Sequence, residues 1–349
     1  MTAPCRAEPR EGILEARTPV PPDRVSVIVP VKNEESSIAA LLTSLIEQTV
    51  SPAEIVITDG GSRDRTRELV RQMQANSPIP IVLVETGDAF PGRGRNLAIR
   101  HATNDWIACI DAGIVAAPNW LEELVLVARA HPEASVIFGR YQAVTDSFFS
   151  KCAAIVYGPA PGDRGRTSIA CCMMSRSVWE RIGGFREDLR SAEDLVFFRA
   201  LGDAGVKAAF SEALVRWTIP GDMPSTFKRF FVYSRYGVKA GLWKEWQGRV
   251  LLLYAVFGVV LLGARWVPAL LVVPPTLLLL RAERRIARWC AGMGIGDRLM
   301  AALNPVRILT VAAINVVIDI AMFLGVLYWL VADWLGSVRT EGTGEGTGR

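Results

Sequence analysis

The sequence predicts an α/β domain with a mostly parallel central sheet flanked by helices, followed by C-terminal transmembrane helices. β-branched runs alternate with helical patterns in the N-terminal half of the chain, and long apolar runs with few charges occur after Arg249. Strands separated by helices imply right-handed crossovers and parallel neighbours. The 349 residues suffice for about two domains. The mean hydropathy of +0.26 therefore averages a charged part and an apolar part.

The composition excludes several kinds of site. The six cysteines show neither metal-ligand spacing nor the density of a disulfide scaffold, which indicates a reducing compartment. The chain has two histidines, His101 and His131, which excludes a multi-histidine metal centre and disfavours a Ser-His catalytic pair. Residues 1–23 are rich in Pro, Glu and Arg and lack an apolar core. We therefore expect a flexible tail rather than a signal peptide, and a first domain that stays in the cytoplasm.

Successive strands are followed by polar turns and helices. The run 24–31 is β-branched, and apolar residues then recur at helical spacing from Ile38 to Ile46. The further predicted elements are a strand at 54–58, a helix at 63–74, a strand at 79–85, a helix at 96–101, a strand at 106–110 and a helix at 119–130. The strand at 106–110 ends on Asp111. Parallel sheets bind ligands at the carboxyl ends of their strands, so Asp111 is expected either to face a ligand or to cap the following loop.

Four segments in this order carry a resemblance to a known family. They read Val-Ser-Val-Ile-Val-Pro-Val-Lys-Asn-Glu-Glu, Ile-Thr-Asp-Gly-Gly-Ser-Arg-Asp-Arg-Thr, Gly-Arg-Gly-Arg-Asn-Leu-Ala and Ile-Asp-Ala-Gly. The set resembles the nucleotide-sugar half of family 2 glycosyltransferases, which have the GT-A fold. The resemblance covers roughly Arg24 to Thr218, and we assign 24–222 to the catalytic domain.

The resemblance implies a site for a nucleotide-sugar donor. The implied roles are Pro30 and Glu34 at the nucleobase, Asp59 at the base edge, Arg95 near base and diphosphate, and Asp111 at the ribose and a divalent metal. A diphosphate needs cationic or N–H partners, and the loop that contains Arg93 and Arg95 offers both. Taken alone, Asp59 before two glycines is also compatible with an ordinary turn.

The chain departs from the family's usual signature at Gly113. The family has a second acid two residues after the first, and here that position is glycine. A divalent cation prefers several oxygen ligands, so this loss weakens the site or leaves donor phosphates and water to complete it. The expected cofactor is therefore Mg²⁺ or Mn²⁺, with metal dependence left open.

A second group of motifs resembles the acceptor half of the family. Residues 168–174 are expected to form another apolar strand, the turn at Gly184 is expected to lie under the acceptor site, and a Glu193-Asp194 pair opens a predicted helix. The resemblance makes Asp194 the catalytic base, with Glu193 near the acceptor or phosphate. Inverting transfer needs such a carboxylate to take the acceptor proton. The alternative is that the pair only complements a helix N-terminus.

Residues 216–223 are expected to form a loop before an interfacial segment. Segment 223–247 mixes aromatics with cations, including Arg229 and Arg235 as acceptor or phosphate contacts. It is expected to form amphipathic helices in the plane of a membrane, although an ordinary amphipathic helix explains the pattern equally well. The Gln-x-x-Arg-Trp motif of processive family members is absent here, which favours a non-processive enzyme.

The C-terminal third predicts a membrane domain at 248–336 and a disordered tail at 337–349. About three spans are expected, near 250–264, 266–281 and 306–335. The arginines between 281 and 298, namely Arg281, Arg284, Arg285, Arg288 and Arg298, are expected in a cytoplasmic loop. Asp319, in the middle of the last span, is expected to face other helices or a polar groove, or else to pair with Asn315.

These features predict an inverting, membrane-anchored glycosyltransferase of the plasma (inner) membrane, with its catalytic domain in the cytoplasm. The donor would be a UDP- or GDP-sugar and the acceptor a lipid or lipid-linked molecule, because an anchored domain meets amphiphiles at high effective concentration. Nothing in the sequence indicates nucleic acid as a partner. The alternatives are a polyprenyl-phosphate sugar synthase and a catalytically impaired membrane scaffold that binds nucleotide sugar.

Overall fold

The computed structural model describes residues 22–160, 167–292 and 303–334. Most of the predicted tails at 1–23 and 337–349, and Arg298, lie outside these ranges. Within them, one eight-stranded sheet has the order β3-β2-β1-β4-β7-β6-β8-β5. The strands are β1 (Val25–Val31), β2 (Glu54–Asp59), β3 (Ile81–Glu85), β4 (Trp106–Cys109), β5 (Ile114–Ala116), β6 (Val136–Val144), β7 (Cys172–Ser175) and β8 (Ala208–Thr218).

Helices cover both faces of this sheet and continue beyond it. They are α1 (Ile38–Ile46), α2 (Thr66–Asn76), α3 (Pro91–His101), α4 (Trp120–Ala130), α5 (Phe148–Tyr157), α6 (Arg176–Ile182), α7 (Glu193–Asp203), α8 (Met223–Lys239), α9 (Trp243–Trp246), α10 (Gly248–Gly263), α11 (Val273–Trp289) and α12 (Pro305–Tyr328). The predicted α/β class is confirmed.

The sheet is parallel on one side and mixed on the other. β3, β2, β1 and β4 are parallel neighbours, as the strand–helix alternation predicts. β7 runs antiparallel to both β4 and β6, and β5 is antiparallel to β8. The parallel half places the ends of β1, β2 and β4 at one edge, which is where a ligand is expected.

Period-two alternation explains the two helix layers. In β1, Val27 and Val29 pack with α1, α2 and α4 on one face, whereas Ile28 packs with α3 and α7 on the other. Because successive side chains of a strand point to opposite faces, an uninterrupted apolar strand must be covered on both. β1 is almost entirely buried, as this requires.

Three local predictions are wrong. Residues 216–218 belong to β8 rather than to a loop, because they pair with β5 and β6. The run 168–174 begins with a 3₁₀ turn at Ile169–Cys171, and β7 starts at Cys172. The arginines Arg281, Arg284, Arg285 and Arg288 lie on α11 rather than in a loop, consistent with the good helix propensity of arginine.

The C-terminal helices pack on the α/β domain. α5, α11 and α12 share a third apolar cluster that includes Cys152, Ile286 and Ile314. α8 runs against α12 at very short range, since a Cβ on Gly325 would lie 2.7 Å from Phe231 O. Small residues permit such close helix approach.

Asp319 faces other helices, as one of the two sequence-based expectations requires, and its partner is an arginine rather than Asn315. It is fully buried, and Arg281 Nη1 lies 2.6 Å from its Oδ2. The Tyr254 hydroxyl donates to the same oxygen at 3.1 Å. Asn315 instead donates to Val311 O, one turn back. Asp319 therefore joins α12 to α10 and α11.

One helix among the described residues, Pro305–Ala332, is long and apolar enough to cross a membrane. Just under half of its most apolar stretch is buried against the rest of the protein. The second predicted span is a 3₁₀ turn at Pro268–Val272 followed by α11.

Candidate active site

A cleft of about 850 Å³ opens at the carboxyl ends of β1, β2 and β4. That volume is in the usual range for a ligand site. The sequence-predicted residues that line it are Pro30, Glu34, Arg95, Asp111, Glu193, Asp194 and Arg229. Asp59, Gly184 and Arg235 are not among its lining residues.

The first two turns are locked together by side-chain bonds. Asn33 Oδ1 accepts the Arg63 N–H at 2.8 Å, and Ser62 Oγ accepts the Asn33 N–H at 2.9 Å. Thr66 Oγ1 accepts the Glu34 N–H at 2.7 Å. Asn33 has a left-handed φ of 56°, which Asn adopts more readily than most residues. These bonds hold the loop after β1 at the rim of the cleft.

Asp59 organises the second turn in this structure. Its carboxylate accepts the Ser62 N–H at 3.1 Å, and the residue is 1% exposed. Its neighbours Thr58 and Gly60, rather than Asp59, line the cleft. Contact between Asp59 and a base edge stays a prediction.

Glycines let α3 approach the sheet and the Gly184 turn. A Cβ on Gly94 would lie 3.2 Å from Pro30 Cβ, which is tighter than ordinary packing. Asn96 donates to Phe185 O at 2.8 Å and accepts the Phe185 N–H at 2.9 Å. Gly184, at φ 79°, packs against the Asn96 side chain. The turn predicted to lie under the acceptor site therefore supports α3.

Arg95 joins the two halves of the cleft. Its Nη2 lies 2.6 Å from Asp111 Oδ1 and its Nη1 lies 2.6 Å from Glu193 Oε1. The residue is 3% exposed, and its guanidinium also lies 5.7 Å from the Phe185 ring. Burial lowers the pKa of Arg95, but the two carboxylates more than offset this and raise it. Both terminal nitrogens are thus engaged with protein carboxylates.

Asp194 lies in the first turn of α7, directly after Glu193 of this network. Ala192 precedes the pair with a left-handed φ of 70°, a strained conformation for a residue with a Cβ. Asp194 Oδ1 accepts the Leu195 N–H at 2.8 Å. Burial, followed by the charge of Glu193, raises the pKa of Asp194 from 3.8 to about 6. A carboxyl group with such a pKa is ionised at neutral pH and accepts a proton more readily than an ordinary aspartate.

Asp111 and Glu34 present oxygen donors to the same cleft. Asp111 is 35% exposed at its side chain, and the Ser37 hydroxyl donates to Glu34 Oε2. Burial, with the charges of Asp64 and Asp111, raises the pKa of Glu34, although the Ser37 bond opposes this. Across the described ranges, no cluster of three or more ligating side chains forms a complete metal site. Two carboxylates fit a hard divalent cation when donor phosphates or water supply further oxygens.

A smaller cavity of about 300 Å³ adjoins the cleft beneath α8. Trp217, Arg229 and Tyr233 line both spaces, and Tyr157 and Phe230 complete aromatic walls. The Arg229 guanidinium lies 4.7 Å from the centre of a Trp217 ring. By contrast, Arg235 stacks on Tyr328 at 4.5 Å, on the side of α8 that meets α12.

Sequence reasoning missed several residues of the cleft. Tyr141, Arg190, Trp217 and Tyr233 line it, and Tyr141 hydrogen-bonds to Ser168. Tyr141 and Trp217 lie on β6 and β8, which the sequence analysis did not identify. Along β8 the apolar residues Ala213, Val215 and Trp217 recur at every second position, and this spacing was the available sequence signal.

Known proteins match this chain in both sequence and fold. The glycosyl transferase family 2 model matches residues 26–187. An uncharacterized glycosyltransferase of Haemophilus influenzae is 27% identical over 187 residues, which is 51% of this chain and 61% of that protein. The succinoglycan biosynthesis protein ExoA of Rhizobium meliloti is 28% identical over 225 residues, covering 60% of this chain and 67% of that protein.

A solved structure extends the similarity over most of the chain. The mannosyltransferase PcManGT from Pyrobaculum calidifontis, in complex with GDP-Man and Mn²⁺, matches with a TM-score of 0.55 and 20% identity. The match covers 88% of this chain and 87% of that one, and shows a shared fold. Over residues 26–187, the match to the family 2 model bears out the family predicted from the four sequence motifs.

Proposed function

This chain is a family 2 glycosyltransferase with a GT-A domain, and we propose that it moves a sugar from a UDP- or GDP-linked donor to a membrane acceptor with inversion. One observation carries the proposal: Asp111 and Asp194 line a single cleft, joined through Arg95 and Glu193. A donor-binding acid and a candidate base therefore share one space. PcManGT, in complex with GDP-Man and Mn²⁺, supports a nucleotide-sugar donor.

The donor would lie across the ends of β1, β2 and β4. Pro30 and Glu34 line the wall assigned to the nucleobase, and Asp111 lies opposite the start of α7. Arg95 is committed to two carboxylates, so it acts as a positioning residue for Asp111 and Glu193. Arg190, which is exposed at the cleft, is available to bind the diphosphate.

Asp194 is the proposed general base. Its carboxylate takes the proton from the acceptor hydroxyl while that oxygen attacks the anomeric carbon. The bond from that carbon to the diphosphate breaks on the opposite face, and the nucleoside diphosphate leaves with the electron pair. Attack opposite the leaving group inverts the anomeric centre. General-base catalysis of this kind contributes about 10²–10⁴ in rate.

Asp111 is the proposed protein ligand of a divalent cation, Mg²⁺ or Mn²⁺. When bound, the cation would neutralise charge that develops on the departing diphosphate. Arg95 pairs with one carboxylate oxygen of Asp111, and the exposed part of the Asp111 side chain faces the donor space. Its neighbour Gly113 contributes no carboxylate.

The apolar surface of the C-terminal helices supports a lipid or lipid-linked acceptor. Large apolar side chains are exposed along α10, the following turn and α12, with Trp266 79% exposed. Apolar patches of this extent mark membrane or protein contacts. α8, which lines the cleft through Arg229 and Tyr233, packs directly on α12. The acceptor side of the cleft thus adjoins the proposed membrane surface, and we place the catalytic domain on the cytoplasmic face of the inner membrane.

The cavity at Arg229 favours a second candidate, a polyprenyl-phosphate sugar synthase. Arg229 offers a guanidinium within aromatic walls beside the cleft. A guanidinium pairs well with phosphate, and an isoprenoid tail would suit the exposed apolar helices. In this reaction the acceptor phosphate oxygen attacks in place of a hydroxyl.

The test is transfer by the full-length protein in membranes supplied with a panel of UDP- and GDP-sugars. Mass spectrometry of the extracted lipids would show a mass increase of one sugar, and the product's anomeric configuration would report inversion. Asp194→Asn is expected to abolish transfer, whereas Asp203→Asn, at the exposed end of the same helix, is expected to keep it. A product linked through phosphate would favour the second candidate. Transfer by Asp194→Asn at the parent rate would refute the assignment of the base.

A further inference from the structure

The backbone at Gly113 faces the Glu34 side chain. Gly113 has a φ of 76°, and a Cβ placed on it would lie 3.7 Å from Glu34 Oε2. Apart from Gly113 and the two residues next to it, no other described residue has a heavy atom within 4 Å of that Cβ. A carboxylate oxygen lies roughly 2.4 Å from the Cβ of its own aspartate. Glu34 therefore brings an oxygen into the region that an aspartate at position 113 would serve.

Glu34 is held in this position by several bonds. Its N–H donates to Thr66 Oγ1 at 2.7 Å, and its carbonyl accepts the Ile38 N–H at 2.9 Å. The Ser37 hydroxyl donates to Glu34 Oε2. The carboxylate is thus anchored on the rim of the cleft.

The surrounding charges favour a cation. Glu34, Asp111, Glu193 and Asp194 all line the cleft, and the buried guanidinium of Arg95 pairs with two of them. Glu193 Oε2 is buried without a hydrogen-bond partner among the described residues. Like-charged carboxylates in a shared space are stabilised when a cation binds between them.

We propose that Glu34 replaces the missing acid at position 113 and, together with Asp111, supplies the protein ligands of a divalent cation. This inference rests on the proposed function, because donor phosphate oxygens and water complete the coordination. Oxygen ligands of this kind suit Mg²⁺ and Mn²⁺. It gives Glu34 a role different from the nucleobase contact expected from the sequence.

Electron paramagnetic resonance of Mn²⁺ tests this directly. Mn²⁺ is titrated into the full-length protein, alone and with UDP or GDP, and the signal of free Mn²⁺ gives the bound fraction. Glu34→Gln is expected to weaken Mn²⁺ binding about tenfold or more, because an amide carries no charge. Glu35→Gln is the matched control: the Glu35 side chain accepts the Arg65 N–H at the exposed rim, and binding should stay within about twofold of the parent.

The double variant Glu34→Gln/Gly113→Asp supplies the rescue. Aspartate tolerates a left-handed backbone better than most residues, and it would restore an acid beside Asp111. Recovery of Mn²⁺ binding in the double variant supports the proposal. Parent-like Mn²⁺ binding by Glu34→Gln would overturn it, as would a parent that binds no Mn²⁺.

Nucleotide binding measured in excess chelator distinguishes failure of the metal role of Glu34 from failure of the proposed function. A parent that binds neither UDP nor GDP under any condition contradicts the proposed function itself. A parent that binds nucleotide, with Mn²⁺ binding indifferent to Glu34, contradicts this inference alone. Two results together would assign Glu34 to the nucleotide and overturn the metal role. Glu34→Gln would lose nucleotide binding in chelator, and Gly113→Asp would fail to restore Mn²⁺ binding to it.

Discussion

Asp194→Asn should stabilise the fold at neutral and alkaline pH while it abolishes transfer. The ionised form of Asp194 is disfavoured in the native state by burial and by the neighbouring Glu193. An asparagine keeps the shape and can still accept the Leu195 N–H through its amide oxygen. The variant therefore removes a destabilising charge together with the proposed base.

The magnitude follows from the change in pKa. A native pKa of about 6 against an ordinary value of 3.8 means that the native state holds a proton that the unfolded chain releases between these pH values. Stability of the parent consequently falls as the pH rises from about 4 to about 6. At about 1.4 kcal/mol per pKa unit, the ionised carboxylate costs up to about 3 kcal/mol above pH 7. Imperfect hydrogen bonding of the new amide reduces the expected gain to about 1–3 kcal/mol.

Thermal unfolding of the full-length protein between pH 4 and pH 8 checks this. The Tm of Asp194→Asn should exceed that of the parent by several degrees at pH 8, since 1 kcal/mol corresponds to about 2–4 °C in domains of 150–250 residues. The difference should shrink as the pH falls to 4. Asp203→Asn, on the exposed end of α7, should show no such pH-dependent gain. A Tm difference that is constant with pH, or a loss of stability at pH 8, would refute the reasoning.

Three further predictions concern packing and buried charge. Arg281→Met should lower the free energy of unfolding by about 3–5 kcal/mol in denaturant, because it leaves the buried Asp319 unpaired. Arg281→Met/Asp319→Leu should recover most of that loss, and an equal loss in both variants would contradict this. Gly92→Ala should lower the stability of the fold because its Cβ would clash with the Arg186 carbonyl, whereas Gly202→Ala, with open space around it on α7, should raise the free energy of unfolding by about 0.5–1 kcal/mol. Equal Tm values for the two variants would argue against this packing. Arg95→Lys should reduce transfer more than tenfold with the donor KM raised, because one ammonium cannot bridge two carboxylates as a guanidinium does; parent-like kinetics would remove its positioning role.

Local sequence was sufficient for the donor half of the fold. Strands β1, β2 and β4 are short and largely apolar, β1 and β2 are rich in β-branched residues, and each strand is followed by a polar turn. Their parallel order and the edge at which Asp111 lies therefore follow from periodicity and crossover handedness. The start of α7 at Glu193 was likewise readable from paired acids ahead of an apolar helix. In these places the pattern that forms the element also identifies the residue at its end.

The tertiary structure alone decided which charges meet. Arg95 lies 16 residues from Asp111 and 98 from Glu193 in the sequence, and no local pattern indicates that one guanidinium bonds both. The pairing of Arg281 with Asp319 spans 38 residues and was missed for the same reason. Ion pairs between segments that are distant in the sequence depend on how the helices and strands pack. The periodicity of one helix or strand carries no information about the residue that will face it from another element. Gly113 shows this most plainly: the sequence reveals a missing acid, but only the folded chain brings Glu34 beside it.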